Sequence, residues 1–199
     1  MINAKDKQIL KTPLEALADL LTEVWTMLSA DGRKAPAICY DNGELDTTND
    51  FDRAQAMYVE NDNFIVISKA FDKSDWTFYG ETVKKAVHEL YHAFQVQIMG
   101  RKLNYKLFNL KDGTVSPEYY NDKNEIEAHA FAEWFDQYWR KITTRNEHIP
   151  AIPECGLLPK HLYEKEYKKI ESRYCLRIQR SSENFFYLTG NLLKALKLI

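Results

Sequence analysis

Leu14, Leu17, Leu20, Leu21, Val24 and Leu28 recur at helical spacing and predict an amphipathic N-terminal helix. Thr12 stands in the N-cap position and Pro13 in the first helical position, and the Asp31-Gly32 pair stops the run. Short extended runs follow at Ala37 to Tyr40, Ala54 to Val59 and Phe64 to Ile67, the last rich in β-branched residues. Glu60-Asn61-Asp62-Asn63 between the last two reads as a hairpin turn, so a small, mostly antiparallel sheet is expected. Tyr79, Val83, Ala86, Val87, Leu90, Phe94 and Ile98 then form one stripe of a long helix from about Thr77 to Met99, closed by Gly100 as the residue just past its end.

The stretch from Arg101 to Tyr120 is irregular and holds Asp112-Gly113, a tight-turn signal. A second strong helix is predicted from about Asp122 to Ile142, with Ala130, Phe131, Trp134, Phe135 and Tyr138 on its apolar face. Three prolines and a glycine make Asn146 to Pro159 a loop. Two further helices are expected at about Lys160 to Gln179 and Glu183 to Leu198. The order helix, small sheet, then helices is that of an α+β fold, not an alternating α/β one. No internal repeat is present.

Composition narrows the class. The 199 residues are 45% hydrophobic and 28% charged, the balance of a soluble globular chain, and no apolar run is long enough for a transmembrane helix. No apolar h-region follows the first residues, so a cytoplasmic protein is expected. Cys39, Cys155 and Cys175 are odd in number and far apart, which argues against a disulfide framework or a zinc knuckle. The net charge of −2 argues against a dedicated nucleic-acid binder. From Pro150 onward nine Lys/Arg face five Asp/Glu, enough to touch a phosphate backbone, but the glutamates interleaved between Glu164 and Glu171 suit a solvated helix face better.

The chemistry sits on the long helix. His88-Glu89-Leu90-Tyr91-His92 fits H-E-x-x-H. Histidines at i and i+4 lie one above the other, so both imidazoles can reach one Zn²⁺ at about 2.0–2.1 Å, and the glutamate between them can take a proton from the zinc-bound water. His88 and His92 lie opposite the apolar stripe, with Glu81, Lys85, Gln95 and Met99. A hydrolytic zinc site needs a third protein ligand and an open fourth position. On the next helix a stretch that begins at Asn124, 32 residues after His92, offers Glu125, Glu127 and His129. Glu127 falls on the apolar face and Glu125 at its edge, beside Ala128 and Ala132, whose small side chains allow close helix approach. Either glutamate could instead serve a capping box, with Asp122 or Asn124. Tyr91, Tyr119 and Tyr120 are candidates for an oxyanion donor.

Together, His88-Glu89-Leu90-x-His92-Ala93 and Glu125-x-x-Ala128-x-x-Phe131-Ala132 resemble the active-site and third-ligand helices of the gluzincin metallopeptidases of the ImmA/IrrE type. The likeness covers roughly Phe64 to Tyr138. It implies a zincin-like domain over residues 1–149, with residues 150–199 as a helical extension packed on it. It implies that His88, His92 and Glu125 hold Zn²⁺ and that Glu89 is the general base. His129 stands where that pattern often has Asp or Asn to orient a ligating histidine; it could do the same or ligate zinc itself. The resemblance further implies a protein or peptide substrate, a transcriptional repressor in the family's usual role, and an extended substrate laid along a sheet edge near Asn63 to Lys69. The expected function is zinc-dependent peptide-bond hydrolysis. The alternatives are a catalytically inactive zinc-bound regulatory or interaction module, a metal-free interaction protein, and a DNA-associated protease resembling the SprT type.

Overall fold

In the computed structural model, residues 11–29, 32–41, 56–73, 76–104, 107, 116–143 and 158–198 are described. Five helices carry most of them: α1 (Pro13–Leu28), α2 (Trp76–Gln97), α3 (Lys123–Thr143), α4 (Lys160–Arg180) and α5 (Ser182–Ala195). Three short strands, β1 (Ala37–Tyr40), β2 (Ala56–Val59) and β3 (Phe64–Ile67), complete an α+β fold. The Asp112-Gly113 turn, Cys155 and most of the Asn146 to Pro159 loop lie outside the described residues.

Local chemistry starts α1. Thr12 and Glu15 form a reciprocal capping box, with the Glu15 N–H on Thr12 Oγ1 at 3.3 Å and the Thr12 N–H on Glu15 Oε2 at 2.8 Å. Pro13 takes the first turn, where its missing N–H costs nothing. Leu17, Leu20, Leu21 and Val24 are fully buried against the rest of the core.

The sheet differs from the expected mostly antiparallel one. Its order is β1-β3-β2: β2 pairs antiparallel to β3 through the hairpin, but β1 pairs parallel to β3, with Ile38 opposite Ile65. The sheet is therefore mixed. The central strand is β3, which is why Ile65, Val66 and Ile67 are all buried. It also follows that the stretch near Asn63 to Lys69 offers no free edge, since both sides of β3 are paired; the outer strand on the hairpin side is β2. The hairpin turns at Asn63, whose φ of +52° an asparagine tolerates. Asn63 Oδ1 accepts from the Tyr58 hydroxyl at 3.2 Å and from Gln97 Nε2, which ties the hairpin to the end of α2.

Helix α2 is central. It packs on β2, β3 and α1 on one side and on α3 on the other, so its polar side is a buried helix–helix interface and not a solvent face. Ala128 and Ala132 are buried and bring α3 close to α2, and Tyr91 of α2 stacks on Phe131 of α3 at 4.8 Å. The far side of α3 receives the last two helices: Phe131 and Trp134 meet Tyr174 of α4, and Phe135 meets Phe185 of α5. Trp139 Nε1 donates to Thr189 Oγ1 at 2.8 Å inside that contact. Helix α4 keeps its charges outside, with Lys168 on Glu164 and Lys169 on Glu166. Among the described residues no helix is long and apolar enough to cross a membrane.

Candidate metal centre

His88 and His92 lie one turn apart on α2 and both face the start of α3. Their exposures are only 8% and 4%. His88 Nε2 and His92 Nε2 are 2.9 Å apart. Glu125 closes the group, with Oε2 at 3.3 Å from His88 Nε2 and Oε1 at 3.4 Å from His92 Nε2. All three ligand atoms lie within 4.8 Å of one another. Donors bound tetrahedrally at Zn–N distances of 2.0–2.1 Å stand about 3.3–3.4 Å apart. Each histidine nitrogen stands at about that spacing from one of the two Glu125 oxygens, and the nitrogen pair is slightly tighter. Two imidazole nitrogens and one carboxylate are also a donor set that zinc prefers.

The charges of the cluster are coupled. Two nitrogen lone pairs facing each other at 2.9 Å must share a proton or a metal. Burial alone would lower the His92 pKa, but the Glu125 carboxylate, then Glu89 and Gln95, outweigh it and lift it to about 9. Burial would likewise raise the Glu125 pKa, but the two imidazoles hold it well below the usual carboxylate range. In the metal-free chain a proton on the histidine pair thus does part of a metal's electrostatic work.

Each of the three side chains is held differently. The His92 Nδ1–H points at Gln95 Oε1 at 2.8 Å, leaving Nε2 for the cluster. Gln95 Nε2 then donates to the Asn124 carbonyl at 3.0 Å, one residue before Glu125. His88 has no hydrogen bond to Nδ1 among the described residues. Its ring is fixed by packing, edge-on to His92 at 4.6 Å and against His129 at 4.4 Å. Glu125 sits in the first turn of α3, where the helix dipole favours an anion. Asp122 caps that turn, its Oδ1 accepting the N–H groups of Asn124 at 2.8 Å and Glu125 at 3.1 Å. The Glu125 side chain takes no part in the cap and turns to the histidines.

Glu127 points elsewhere. Its carboxylate accepts from both terminal nitrogens of Arg101, at 2.5 and 3.3 Å, and Arg101 Nη1 also reaches Asn124 Oδ1 at 3.2 Å. Arg101 follows the turn at Gly100, whose φ of +65° suits glycine, and its N–H bonds back to the Gln95 carbonyl at 3.0 Å. One bidentate pair therefore fastens the end of α2 to the start of α3, with Glu125 held above the histidines.

Glu89 lies on the β2 side of the cluster. Its Oε2 accepts the Tyr58 N–H at 2.8 Å, and its charge acts on both His92 and Tyr119. His129 is buried against His88 but makes no hydrogen bond to it; its Nε2 pairs with the Tyr119 hydroxyl at 2.6 Å. Burial and then the charge of His88 hold the His129 pKa well below that of a free histidine, so its ring is neutral. Of the three tyrosines considered, only Tyr119 reaches the cluster. Tyr91 is committed to Phe131, and Tyr120 is 37% exposed. Sequence reasoning places Gln95 on the histidine side of its helix and Asn124 as a cap candidate, but neither with its role here, and Arg101 with none. The signal for Gln95 was present, three residues after His92 on the same helix side; Arg101 and Asn124 carry none, because their roles depend on how α2 meets α3.

No protein-family model, curated protein or solved structure matches the chain.

Proposed function

We propose that the chain is a zinc-dependent metallohydrolase, most specifically a peptidase of zincin-like architecture. One observation carries the reading: two H-E-x-x-H histidines and a glutamate from the following helix converge within 4.8 Å, with the glutamate of the motif alongside. His88, His92 and Glu125 would hold Zn²⁺. When bound, the metal would lower the pKa of a water ligand toward about 7 and polarise a scissile carbonyl.

The chain's own residues supply the rest. Gln95 fixes the His92 ring so that Nε2 faces the site. Glu89 accepts the proton of the attacking water and passes it to the leaving amine. Tyr58 N–H orients the Glu89 carboxylate from the sheet side. An extended peptide would not add along β3, whose two sides are both paired. The inactive regulatory-module reading calls for four protein ligands. His129 is the residue that would close such a site, and its Nε2 is occupied by Tyr119. That arrangement supports an open position and turnover.

The test is the metal content of the purified protein and of His92→Ala, Glu125→Ala and Glu127→Ala. About one zinc per chain, kept in Glu127→Ala and lost in the other two, supports the site. No zinc in the parent, even when supplied, refutes it. Substrate screening then uses Glu89→Gln as the blank: it should keep zinc and lose turnover, and a Glu89→Gln protein as active as the parent refutes the mechanism.

A further inference from the structure

The outward face of α4 has no part in the proposed chemistry. Its inner face buries Tyr163, Ile170, Tyr174 and Ile178, and the helix packs on α3. At 100° per residue, Lys165, Lys169, Arg173, Leu176 and Arg180 fall within an arc of about 80° on the solvent side, and all five are exposed. They run about 22 Å along the helix, close to one cation per turn.

The structure sorts the charges that interleave in the sequence. Glu164 and Glu171 lie about 100° or more around the helix from this stripe. Lys168 answers Glu164 on that flank at 3.4 Å. Glu166 sits at the other margin, where Lys169 meets it at 2.7 Å. Lys165, Arg173 and Arg180 have no carboxylate partner among the described residues. The Arg173 guanidinium lies over the Tyr174 ring, 6.0 Å from its centre.

Apolar groups join the same stripe. Leu176, Phe186 and Tyr187 are 68%, 50% and 60% exposed, the largest values for big hydrophobic side chains among the described residues. Backbone bonds of helical spacing run into and out of Ser181, from its N–H to the Arg177 carbonyl at 3.2 Å and from the Phe185 N–H to its carbonyl at 2.9 Å. Helix α5 thus takes up where α4 ends, and Phe186 and Tyr187 follow Arg180, with Lys194 exposed beyond them. Glu183 is the only acid of α5.

Unpaired cations in line with exposed aromatic rings suit a strand of phosphates whose bases are free to stack. A duplex would use the cations alone. An interfacial membrane helix sets its cations on the face opposite its apolar residues, not among them. We infer that the α4–α5 stripe binds single-stranded nucleic acid, with Lys165, Lys169, Arg173 and Arg180 on phosphates and Phe186 and Tyr187 under bases. The net charge of −2 does not oppose a local site, because charges beyond about 8–10 Å are screened at moderate salt. The stripe lies on the side of α4 away from α3, so the inference stands independently of the metal centre.

The experiment is fluorescence anisotropy of the full chain with a labelled oligo(dT) of about 20 nucleotides, set against a duplex of equal length, a polyglutamate peptide and phosphatidylserine vesicles. Four phosphate contacts give a salt slope of about −3, so affinity for the single strand should fall about 50-fold between 50 and 200 mM salt. Arg173→Gln combined with Arg180→Gln removes two contacts and should reduce that fall to about sevenfold. Phe186→Ala combined with Tyr187→Ala should weaken the single strand at least about fivefold and leave the salt slope unchanged. Lys34→Gln, at an exposed lysine ahead of β1, is the control and should match the parent. All variants should keep the parent's melting temperature and zinc content, since every altered side chain is exposed. No binding of oligo(dT) at 50 mM salt overturns the inference, as does equal binding by the parent and the two double variants. A duplex bound as tightly, with the aromatic double variant unchanged, overturns the single-strand assignment. Polyglutamate or vesicles bound in preference to the oligonucleotide overturn it in favour of an acidic protein or a membrane surface.

Discussion

Replacing Arg101 with methionine should destabilise the metal-free protein by about 2–3 kcal/mol. Its partner, the Glu127 carboxylate, has a side chain only 9% exposed, and Arg101 makes both of its short bonds, at 2.5 and 3.3 Å. Lys123 is the other cation near it, but it stands 3.9 Å away on a side chain 76% exposed. Breaking a fully buried pair by removing one partner costs about 3–5 kcal/mol, because an uncompensated charge stays behind. The Arg101 side chain is 26% exposed, so water reaches the vacated site and the cost falls toward the lower figure. For a chain of this size the loss corresponds to about 5–10 °C in Tm. Glu127→Met combined with Arg101→Met removes both charges, and the double variant should return to within about 1 kcal/mol of the parent. Urea unfolding of the four proteins gives the cycle. A single-variant cost below about 0.5 kcal/mol, or a double variant as unstable as the two single losses added, refutes the account of the pair. The same proteins test the ligand assignment: Glu127→Met must still bind zinc.

Other perturbations separate the layers of the structure. Zinc uptake near neutral pH should release about one proton, since the His92 site is protonated up to about pH 9; calorimetry in buffers of different ionisation enthalpy measures it. Because the folded pKa of His92 is raised from 6.5 to about 9, its contribution to metal-free stability is complete below pH 6.5 and fades as pH rises through 9. Denaturation midpoints taken across that window should fall, and a flat profile counts against the shared-proton picture. Thr12→Ala should cost about 1 kcal/mol through the lost capping box, with no effect on zinc binding. Trp139→Phe should cost about 1–3 kcal/mol by losing the Thr189 bond and some buried area, again without touching the metal.

What could be read in advance followed the range of the forces involved. Helix α1 was legible because Thr12 and Pro13 act within one turn of its start and its apolar residues repeat at helical spacing; Glu15, which completes the capping box, was the part not read. The H-E-x-x-H face of α2 was legible because i and i+4 geometry is a property of the helix itself. The β1–β3 pairing was not, since parallel neighbours must be joined by a crossover and no local pattern states which strands will meet. Nor did periodicity decide between Glu125 and Glu127. Glu127 is drawn off by Arg101, 26 residues earlier in the chain, and that removes it from competition for the histidines. The same holds for His129, whose partner Tyr119 sits in a stretch with no regular spacing to read.

The hydrogen bond from Tyr58 to Glu89 gives one carboxylate two duties. It carries the motif's basic oxygen, and it also satisfies a backbone donor on the outer strand that would otherwise lie unpaired beside a buried helix. Truncating Glu89 to alanine would therefore loosen the docking of sheet on helix as it removed the proposed base, and a loss of turnover would leave the two effects entangled. Glutamine keeps an oxygen for Tyr58 and surrenders only the ability to take a proton. At this position the conservative substitution isolates the proposed chemistry, and the difference in stability between the two variants measures how much of the architecture leans on a residue whose motif points to another purpose.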